Sequence, residues 1–362
     1  MGIFVTVIIV CVSGTLLFMN QPQFGKLPNK KQLERIKQSK NWRDGAFQNI
    51  HPTPDLTEGV TYYKALKEFI MNRNDQVKPS SEIPSKKVDI AQLSKDQDVL
   101  IWFGHSSYML QIKGKVVLVD PVFSGHASPV SFITKAFPGA DRYAVSDFEK
   151  IDYLVITHDH WDHLDYETII ALKSKVKAII CPLGVGAHLL HWGFTPQDFI
   201  EKDWYETTQL DEETKITALP ARHFSGRGFK RNQSLWNSYA IQIHGKKIYI
   251  GGDSGYDTHF KQIGQQFESF DLAILENGQY DKNWKYIHML PEEVIQAAED
   301  LNAKKLLTVH SSKFALANHA WKEPLERVSE LSKNRNFSLL TPIIGEPVYF
   351  SDSTLNYQSK WW

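Results

Sequence analysis

Residues 156–163 read Ile156-Thr157-His158-Asp159-His160-Trp161-Asp162-His163. This stretch places three imidazoles and two carboxylates within six consecutive positions, directly after the apolar run 153–156. An apolar strand followed at once by a polar loop is a common way for a rigid scaffold to present functional side chains at its edge. Imidazole and carboxylate groups are ligands that a cation such as zinc accepts. The stretch therefore predicts a metal-binding loop, with a solvated, histidine-rich loop as the alternative.

Three further apolar runs, 216–219, 247–250 and 306–309, lead to single polar residues, His223, Asp253 and His310. One polar residue at the end of a strand is common and is usually structural. Together with the first loop, however, the pattern gives seven potential ligands: His158, His160, Asp162, His163, His223, Asp253 and His310. Seven ligands are enough to hold two adjacent metal ions and to leave room for a bridging water.

The composition is that of a globular protein, with 362 residues of which 42% are hydrophobic. Lys and Arg together number 41, as do Asp and Glu, so the net charge gives no sign of a nucleic-acid partner. Only Cys11 and Cys181 are present, and both lie in or beside apolar runs, so we expect no disulfide framework. Two cysteines leave the redox compartment open.

From about residue 99 onward, short β-rich runs alternate with helical segments. Residues 112–116 and 243–248 have the pattern of tight hairpins. Asp165 and Pro291 are each predicted to begin a helix. Mixed strands and helices of this kind predict an α/β domain, with two sheets and the helices outside them.

The N-terminus departs from this pattern. Residues 3–19 are mostly apolar and carry no charge, and a basic stretch follows at 26–43. We expect residues 1–19 to be an uncleaved membrane anchor that keeps the main domain on the cytoplasmic side. A cleaved signal peptide and a periplasmic or extracellular domain are the alternatives. Residues 20–95 are predicted to be a basic, proline-punctuated approach segment, partly packed on the core, and residues 96–362 to be the metal-dependent domain.

Across residues 99–345 the chain resembles the metallo-β-lactamase fold superfamily of metal hydrolases. The resemblance rests on the seven residues above, in their order and separations. It implies a four-layer αββα sandwich with a centre of two divalent metal ions, of which zinc is the expected identity. It also implies that His158, His160 and His223 hold the first ion, that Asp162, His163 and His310 hold the second, and that Asp253 bridges the two.

A narrower resemblance rests on longer strings. Residues 104–108, 119–124, 222–227, 231–236 and 319–324 are similar to the branch containing N-acylphosphatidylethanolamine-hydrolysing phospholipase D and its bacterial relatives. This implies cleavage of a phosphodiester bond in a phospholipid, with a membrane surface as partner. A hydrolase of the same fold that acts on a lactone or another phosphodiester is one alternative. A membrane-anchored member without catalytic activity is another, and the oligomeric state stays open.

Several further residues are candidates for the chemistry. Asp162 is expected to orient the nucleophile as well as to bind metal. His288 is the predicted substrate-contacting or proton-donating residue, with a packed or helix-capping histidine as the alternative. Arg222, Arg227 and Arg231 are predicted to contact phosphate oxygens, and structural ion pairing is the alternative for all three.

Overall fold

The computed structural model describes residues 2–351 and 360–362. The α-helices of this part are α1 (Gly2–Met19), α2 (Lys30–Ile36), α3 (Tyr62–Met71), α4 (Tyr166–Leu172), α5 (Gly186–His191), α6 (His259–Phe267), α7 (Pro291–Asp300) and α8 (Glu323–Leu331). Short 3₁₀ helices cover Pro22–Phe24, Ile90–Gln92 and Val145–Asp147. The strands are β1 (Trp42–Arg43), β2 (Ala46–Phe47), β3 (Val99–Trp102), β4 (Tyr108–Ile112), β5 (Lys115–Val119), β6 (Ile151–Val155), β7 (Val176–Pro182), β8 (Phe199–Lys202), β9 (Thr207–Asp211), β10 (Thr214–Pro220), β11 (Asn237–Ile243), β12 (Lys246–Ile250), β13 (Leu272–Glu276), β14 (Lys305–Val309), β15 (Ser338–Leu340) and β16 (Pro347–Tyr349).

Two large sheets form the centre of the molecule. The first has the order β16-β3-β4-β5-β6-β7-β8, and the second has the order β15-β14-β13-β12-β11-β10-β9. In each sheet one half is antiparallel, and the strands from β5 to β8 and from β12 to β15 are parallel. The last strand, β16, pairs with β3 and so places the C-terminal end of the domain at one edge of the first sheet.

The central strands are buried on both faces, and successive side chains in them point to opposite sides of the sheet. In β3, Leu100 and Trp102 pack between the two sheets, against residues such as Ile241 of the second sheet. Val99 and Ile101 of the same strand point outward and join a separate apolar cluster. This is why β3 is an unbroken apolar run rather than an alternating one.

Helices cover the outer faces. Ile169 and Leu172 of α4 and Leu189 of α5 pack on the first sheet. The second sheet is covered by α6, α7 and α8, through a cluster that includes Phe260 and Val294. The resulting order is helices, sheet, sheet, helices, and the predicted α/β sandwich is confirmed.

Local sequence signals also agree with the structure. The hairpins at 112–115 and 243–246 have positive φ at both central residues, at Lys113 and Gly114 and at His244 and Gly245. Positive φ at both positions is the type I′ turn, whose twist matches that of the flanking strands. Helices α4 and α7 begin directly after Asp165 and at Pro291, as the sequence predicts.

The prediction of an N-terminal membrane anchor is wrong. Helix α1 has 18 residues, and at 1.5 Å per residue such a helix spans roughly 27 Å, less than the about 30 Å of a bilayer core. Within residues 2–351 and 360–362, no helix is both long and apolar enough to cross a membrane.

Residues from the approach segment pack on the main domain. Ile36 and Phe47 join a buried cluster with Leu183, Trp204 and Trp236. Backbone hydrogen bonds tie the two regions together, for example from Phe47 N to Asn232 O at 2.9 Å. The approach segment therefore forms part of the structure that surrounds the strand ends.

Candidate metal centre

Strand direction brings the predicted ligands to one edge of the sandwich. In the first sheet β5 and β6 are parallel. Strands β3 and β5 are both antiparallel to β4, so β3 runs in the same direction as β5 and β6. In the second sheet β10, β12, β13 and β14 share one direction for the same reason. The loops that follow these strands therefore meet, and they carry His105, Asp120, residues 157–164, His223, Asp253 and His310.

The first group of ligands consists of His158, His160, His223 and Asp253, whose donor atoms all lie within 4.8 Å of one another. Nδ1 of His160 lies 2.9 Å from His158 Nε2 and 3.2 Å from His223 Nε2. Asp253 Oδ2 lies 3.7 Å from each of those two Nε2 atoms. A tetrahedral site with bonds of 2.0–2.1 Å separates its donors by roughly 3.3 Å, so these residues fit a zinc-sized cation.

The second group shares Asp253 with the first. His163 Nε2 lies 3.2 Å from Asp253 Oδ2 and 3.5 Å from Asp162 Oδ2. His310 Nδ1 lies 3.1 Å from Asp253 Oδ1. Because its carboxylate faces both groups, Asp253 stands where a bridging ligand would. All seven residues that the sequence singles out as metal ligands are thus brought together.

Two buried atoms in this centre indicate that a cation belongs there. Among the described residues, neither Asp253 Oδ1 nor His163 Nε2 has a hydrogen-bond partner, and both are shielded from solvent. Leaving such atoms buried and unsatisfied is costly. A divalent cation held by the two groups would satisfy both of them.

The charge states of three of the ligands suit metal binding. Burial lowers the pKa of His158 and of His223 well below its usual value, so both imidazoles are neutral at pH 7. Burial alone would raise the pKa of Asp253, but the neighbouring His163 and His310 bring it well below the usual range. Neutral imidazoles and ionised carboxylates are the forms that bind metal.

Outer partners fix the orientation of the ligands. Asp120 accepts hydrogen bonds from His163 Nδ1 at 2.8 Å and from Thr157 N and Oγ1 at 2.8 and 2.6 Å. His223 Nδ1 donates to Ile287 O at 2.9 Å, which leaves Nε2 free to face the metal. Partners of this kind fix the tautomer and strengthen the ligand.

His105 is a residue at the centre to which the sequence assigned no role. It is fully buried, its Nε2 lies 2.8 Å from Asp162 Oδ2, and it belongs to a candidate ligand set with Asp162, His163 and His310. In the sequence, His105 was noted only as one of residues 104–108, which contribute to the resemblance to the phospholipase D branch. Its place in the centre depends on the tertiary fold, because 57 residues separate it from Asp162.

Asp159 lies between metal ligands in the sequence but turns away from them. Its carboxylate accepts hydrogen bonds from Gly226 N and from Ser234 Oγ, each at 2.7 Å, and lies 3.3 Å from His188 Nε2. It therefore anchors the metal loop to the loop that follows His223.

His288 lies beside the metal ligands. Its ring centroid is 5.1 Å from the rings of both His223 and His310, and its Nδ1 is 3.6 Å from Glu276 Oε2. Burial opposes protonation, but the Glu276 carboxylate raises the pKa of His288 above its usual value. Glu276 was missed in the sequence, although it ends an apolar strand in the same way as Asp253.

The three arginines lie near the centre with their donors engaged. Arg227 is buried and donates to the carbonyl oxygens of Gln23, Asp159 and Leu164. Arg222 donates to Thr53 Oγ1 and to two carbonyl oxygens. Arg231 pairs with Asp55 and lies over the ring of Phe224. These contacts fit the alternative of structural bonding, and contact of the three arginines with phosphate oxygens stays a prediction.

Comparison with known proteins identifies the family. The Beta-lactamase superfamily domain matches residues 115–311, which is more than half of the chain. The chain belongs to this superfamily. Within it, an uncharacterized protein of Mycobacterium tuberculosis is 37% identical over 315 residues, covering 86% of this chain and 84% of the relative.

Two further proteins show a more distant similarity. N-acyl-phosphatidylethanolamine-hydrolyzing phospholipase D 1 of Caenorhabditis elegans is 29% identical over 268 residues, covering 68% of this chain and 74% of that protein. The structure of Igni18, a metallo hydrolase from Ignicoccus hospitalis, has a TM-score of 0.56 at 20% identity and covers 71% of this chain and all of that one. The latter likeness shows the fold alone. With the ligand clusters at the strand ends, this superfamily member is a metal-dependent hydrolase.

Proposed function

We propose that the protein is a phosphodiesterase of phospholipase D type that hydrolyses a phospholipid such as N-acylphosphatidylethanolamine. The observation that carries the proposal is the double ligand group that shares Asp253. The nematode phospholipase D relative supports the choice of bond, since its similarity extends over 268 residues. The complete ligand set argues against a member of this fold without catalytic activity.

Two divalent cations, with zinc as the proposed identity, would activate water and neutralise phosphate oxygens when bound. The residues of the chain supply orientation and protons. Asp162 is held by His105 at 2.8 Å and faces His163, which supports a role for its carboxylate in orienting the attacking water. His288 lies beside His223 and His310, which supports a role in protonating the departing alcohol.

Hydrolysis of this bond has a definite balance. The oxygen of water forms a bond to phosphorus, and the bond between phosphorus and the headgroup oxygen breaks. The alcohol leaves with a proton, and the lipid part keeps the phosphate. N-acylphosphatidylethanolamine would thus give phosphatidate and an N-acylethanolamine.

A cavity beside the first ligand group offers room for the polar part of such a substrate. It has a volume of about 350 Å³ and is lined by His223 and Phe224 together with residues of the approach segment, among them Asn49 and His51. Arg43, Asp44, Asp55 and several amide groups also line it, and these polar groups suit a headgroup better than an acyl chain.

We also propose a membrane surface as partner, at helix α3. Its side chains Tyr63, Leu66, Ile70 and Met71 are exposed. Glu68 on the same helix accepts a hydrogen bond at 3.0 Å from Asn283, in the loop that leads to His288. Replacing Ile70 and Met71 by Asp should weaken turnover of lipid in vesicles and leave turnover of a short-chain, water-soluble phosphodiester unchanged. Equal effects on both substrates would contradict this role.

The test of the activity is a product analysis with a panel of substrates. Purified protein is incubated with N-acylphosphatidylethanolamine, a lactone and a cyclic phosphodiester, and the products are identified by mass spectrometry. We expect phosphatidate and an N-acylethanolamine, no turnover by Asp253→Ala, and retained turnover by Asp152→Asn, whose buried carboxylate bonds to Val116 N away from the centre. Release of free fatty acid, or turnover of the lactone alone, would refute the proposal.

A further inference from the structure

We propose that Asn49, in the N-terminal approach segment, is a positioning residue for the metal ligand His223. The side-chain amide of Asn49 makes two hydrogen bonds to the backbone of His223. Nδ2 donates to His223 O at 2.8 Å, and Oδ1 accepts from His223 N at 3.1 Å. A carboxamide offers a donor and an acceptor side by side, as a peptide group does, so this pair imitates the bonding between two strands.

His223 requires such a partner because of where it lies. Strand β10 ends at Pro220, three residues earlier, so His223 stands beyond the regular ladder of the sheet. Backbone groups of a buried residue need partners, and the Asn49 amide supplies both. The ring is held separately, by the bond from Nδ1 to Ile287 O. With backbone and ring both fixed, Nε2 is held 3.2 Å from His160 Nδ1.

Asn49 is itself held rigidly. Its Oδ1 also accepts a hydrogen bond at 3.0 Å from Nε1 of the buried Trp236, and its carbonyl oxygen accepts one at 3.0 Å from Arg43. Two residues earlier, Phe47 is completely buried. A shift of Asn49 would therefore have to displace the packing around it, and this rigidity is passed on to His223.

Asn49 lies in a part of the chain that the superfamily match does not include. The match begins at residue 115, whereas Asn49 belongs to the segment that the sequence suggested to be an approach to the domain. In this proposal the approach segment supports a metal ligand directly and is more than a connection to the domain. This role concerns metal binding and does not depend on which bond the enzyme hydrolyses.

The experiment compares Asn49→Leu with the matched change Gln48→Leu in the full-length protein. Leu has nearly the shape of Asn but no polar atoms. Within the described part of the chain, the amide of Gln48 makes only a 3.5 Å contact, with Arg43 O. Zinc dissociation constants are measured by competition with a chromogenic chelator, and the cobalt-substituted proteins are compared by visible absorption. We expect Asn49→Leu to weaken at least one constant by about 10- to 100-fold, the usual effect of losing an outer partner of a ligand. The cobalt spectrum should change, and Gln48→Leu should match the parent.

Thermal unfolding of the metal-free proteins separates positioning from general stability. The inference predicts a much larger loss of metal affinity than of metal-free stability. Parent-like constants and spectrum in folded Asn49→Leu would overturn it, as would a loss of affinity that only parallels metal-free unfolding. If Asn49→Leu does not fold, Asn49→Asp provides the test, because it keeps the acceptor for Trp236 and loses the donor to His223 O. Parent-like or tighter binding by Asn49→Asp would equally overturn the inference.

Discussion

At the scale of single residues, the centre depends on groups that hold the ligands as much as on the ligands. His163 presents Nε2 to the second ligand group because Nδ1 donates to Asp120, which also accepts two hydrogen bonds from Thr157. Asp120 is buried, as is His163, so water cannot substitute for this contact. The tautomer of a metal ligand is thus set by a residue at the end of a different strand.

Replacement of Asp120 by Asn tests this dependence. Thr157 N can only donate, so the amide oxygen stays opposite it and the amide NH₂ replaces Oδ2, which accepts from His163 Nδ1 and Thr157 Oγ1 in the parent. The amide NH₂ is a donor, so the tautomer of His163 is no longer enforced. We expect metal affinity to fall by about 10- to 100-fold, measured by chelator competition and by metal content after dialysis. Asp152→Asn is the control, since it alters a buried carboxylate at a distance from the centre. Retention of both metal ions by Asp120→Asn with parent affinity would contradict the role.

A histidine away from the centre predicts how stability depends on pH. Burial lowers the pKa of His259 to about 3, against the attraction of Asp257. Its unfolded pKa is about 6.5, so below that pH the unfolded state binds a proton that the folded state does not. The stability that the neutral His259 contributes is present above about pH 6.5 and is lost as the pH falls toward 3.

His259→Gln should remove this component. Between pH 7.5 and pH 5.0 the parent should lose roughly 2 kcal/mol more of its free energy of unfolding than the variant. Urea unfolding of both proteins at both pH values measures the difference, and titration of the metal-binding histidines cancels in the comparison. An equal loss in parent and variant would show that His259 binds its proton in the folded state.

At the scale of elements, the parallel strands place the site and the N-terminal region encloses it. The 3₁₀ helix Pro22–Phe24 lies against the loop that carries the ligands, because Arg227 donates both to Gln23 O and to Asp159 O. Trp192 Nε1 donates to Pro22 O at 2.7 Å. Gly25 follows with a φ of 68° and turns the chain so that Lys26 N can donate to His188 Nδ1 at 3.0 Å.

Gly25→Ala should be clearly more harmful than Gly45→Ala. Both glycines have positive φ, so an added Cβ strains the backbone at each of them. At Gly25 that Cβ would also lie 2.1 Å from His188 Nδ1, whereas at Gly45 no atom of the described residues lies within 4 Å. We expect Gly25→Ala to cost about 1–3 kcal/mol more than Gly45→Ala, the typical cost of overpacking. Thermal or urea unfolding measures it, and equal losses would contradict the close docking of this segment.

At the scale of the whole molecule, the two halves share the centre. The loop after β6 supplies four ligands, and the loops after β10, β12 and β14 supply the other three. All of these were visible in the sequence, because each follows an apolar strand and the direction of parallel strands brings their ends together. The αββα layers could be predicted for the same reason, since strands buried on both faces need helices outside.

What the sequence could not reveal depends on contacts across the fold. His105 meets Asp162 and Asp120 meets His163 only because separate strands end at the same edge. Asn49 reaches His223 across 174 residues, and no local pattern marks that contact. His105 and Asp120 both have positive φ, and no sequence motif predicts that conformation for these residue types. The prediction of a membrane anchor from the N-terminal apolar run was wrong because composition shows how hydrophobic a segment is but not how long its helix will be.

Hydrolysis of N-acylphosphatidylethanolamine in water labelled with oxygen-18 tests the central claim most directly. If a nucleophile oriented by Asp162 attacks phosphorus, mass spectrometry will find one labelled oxygen in the phosphate of phosphatidate and none in the N-acylethanolamine. The label must be absent when the metal is removed with a chelator. A label in released fatty acid, in the N-acylethanolamine, or in the phosphate of the metal-free reaction would contradict a metal-dependent phosphodiesterase.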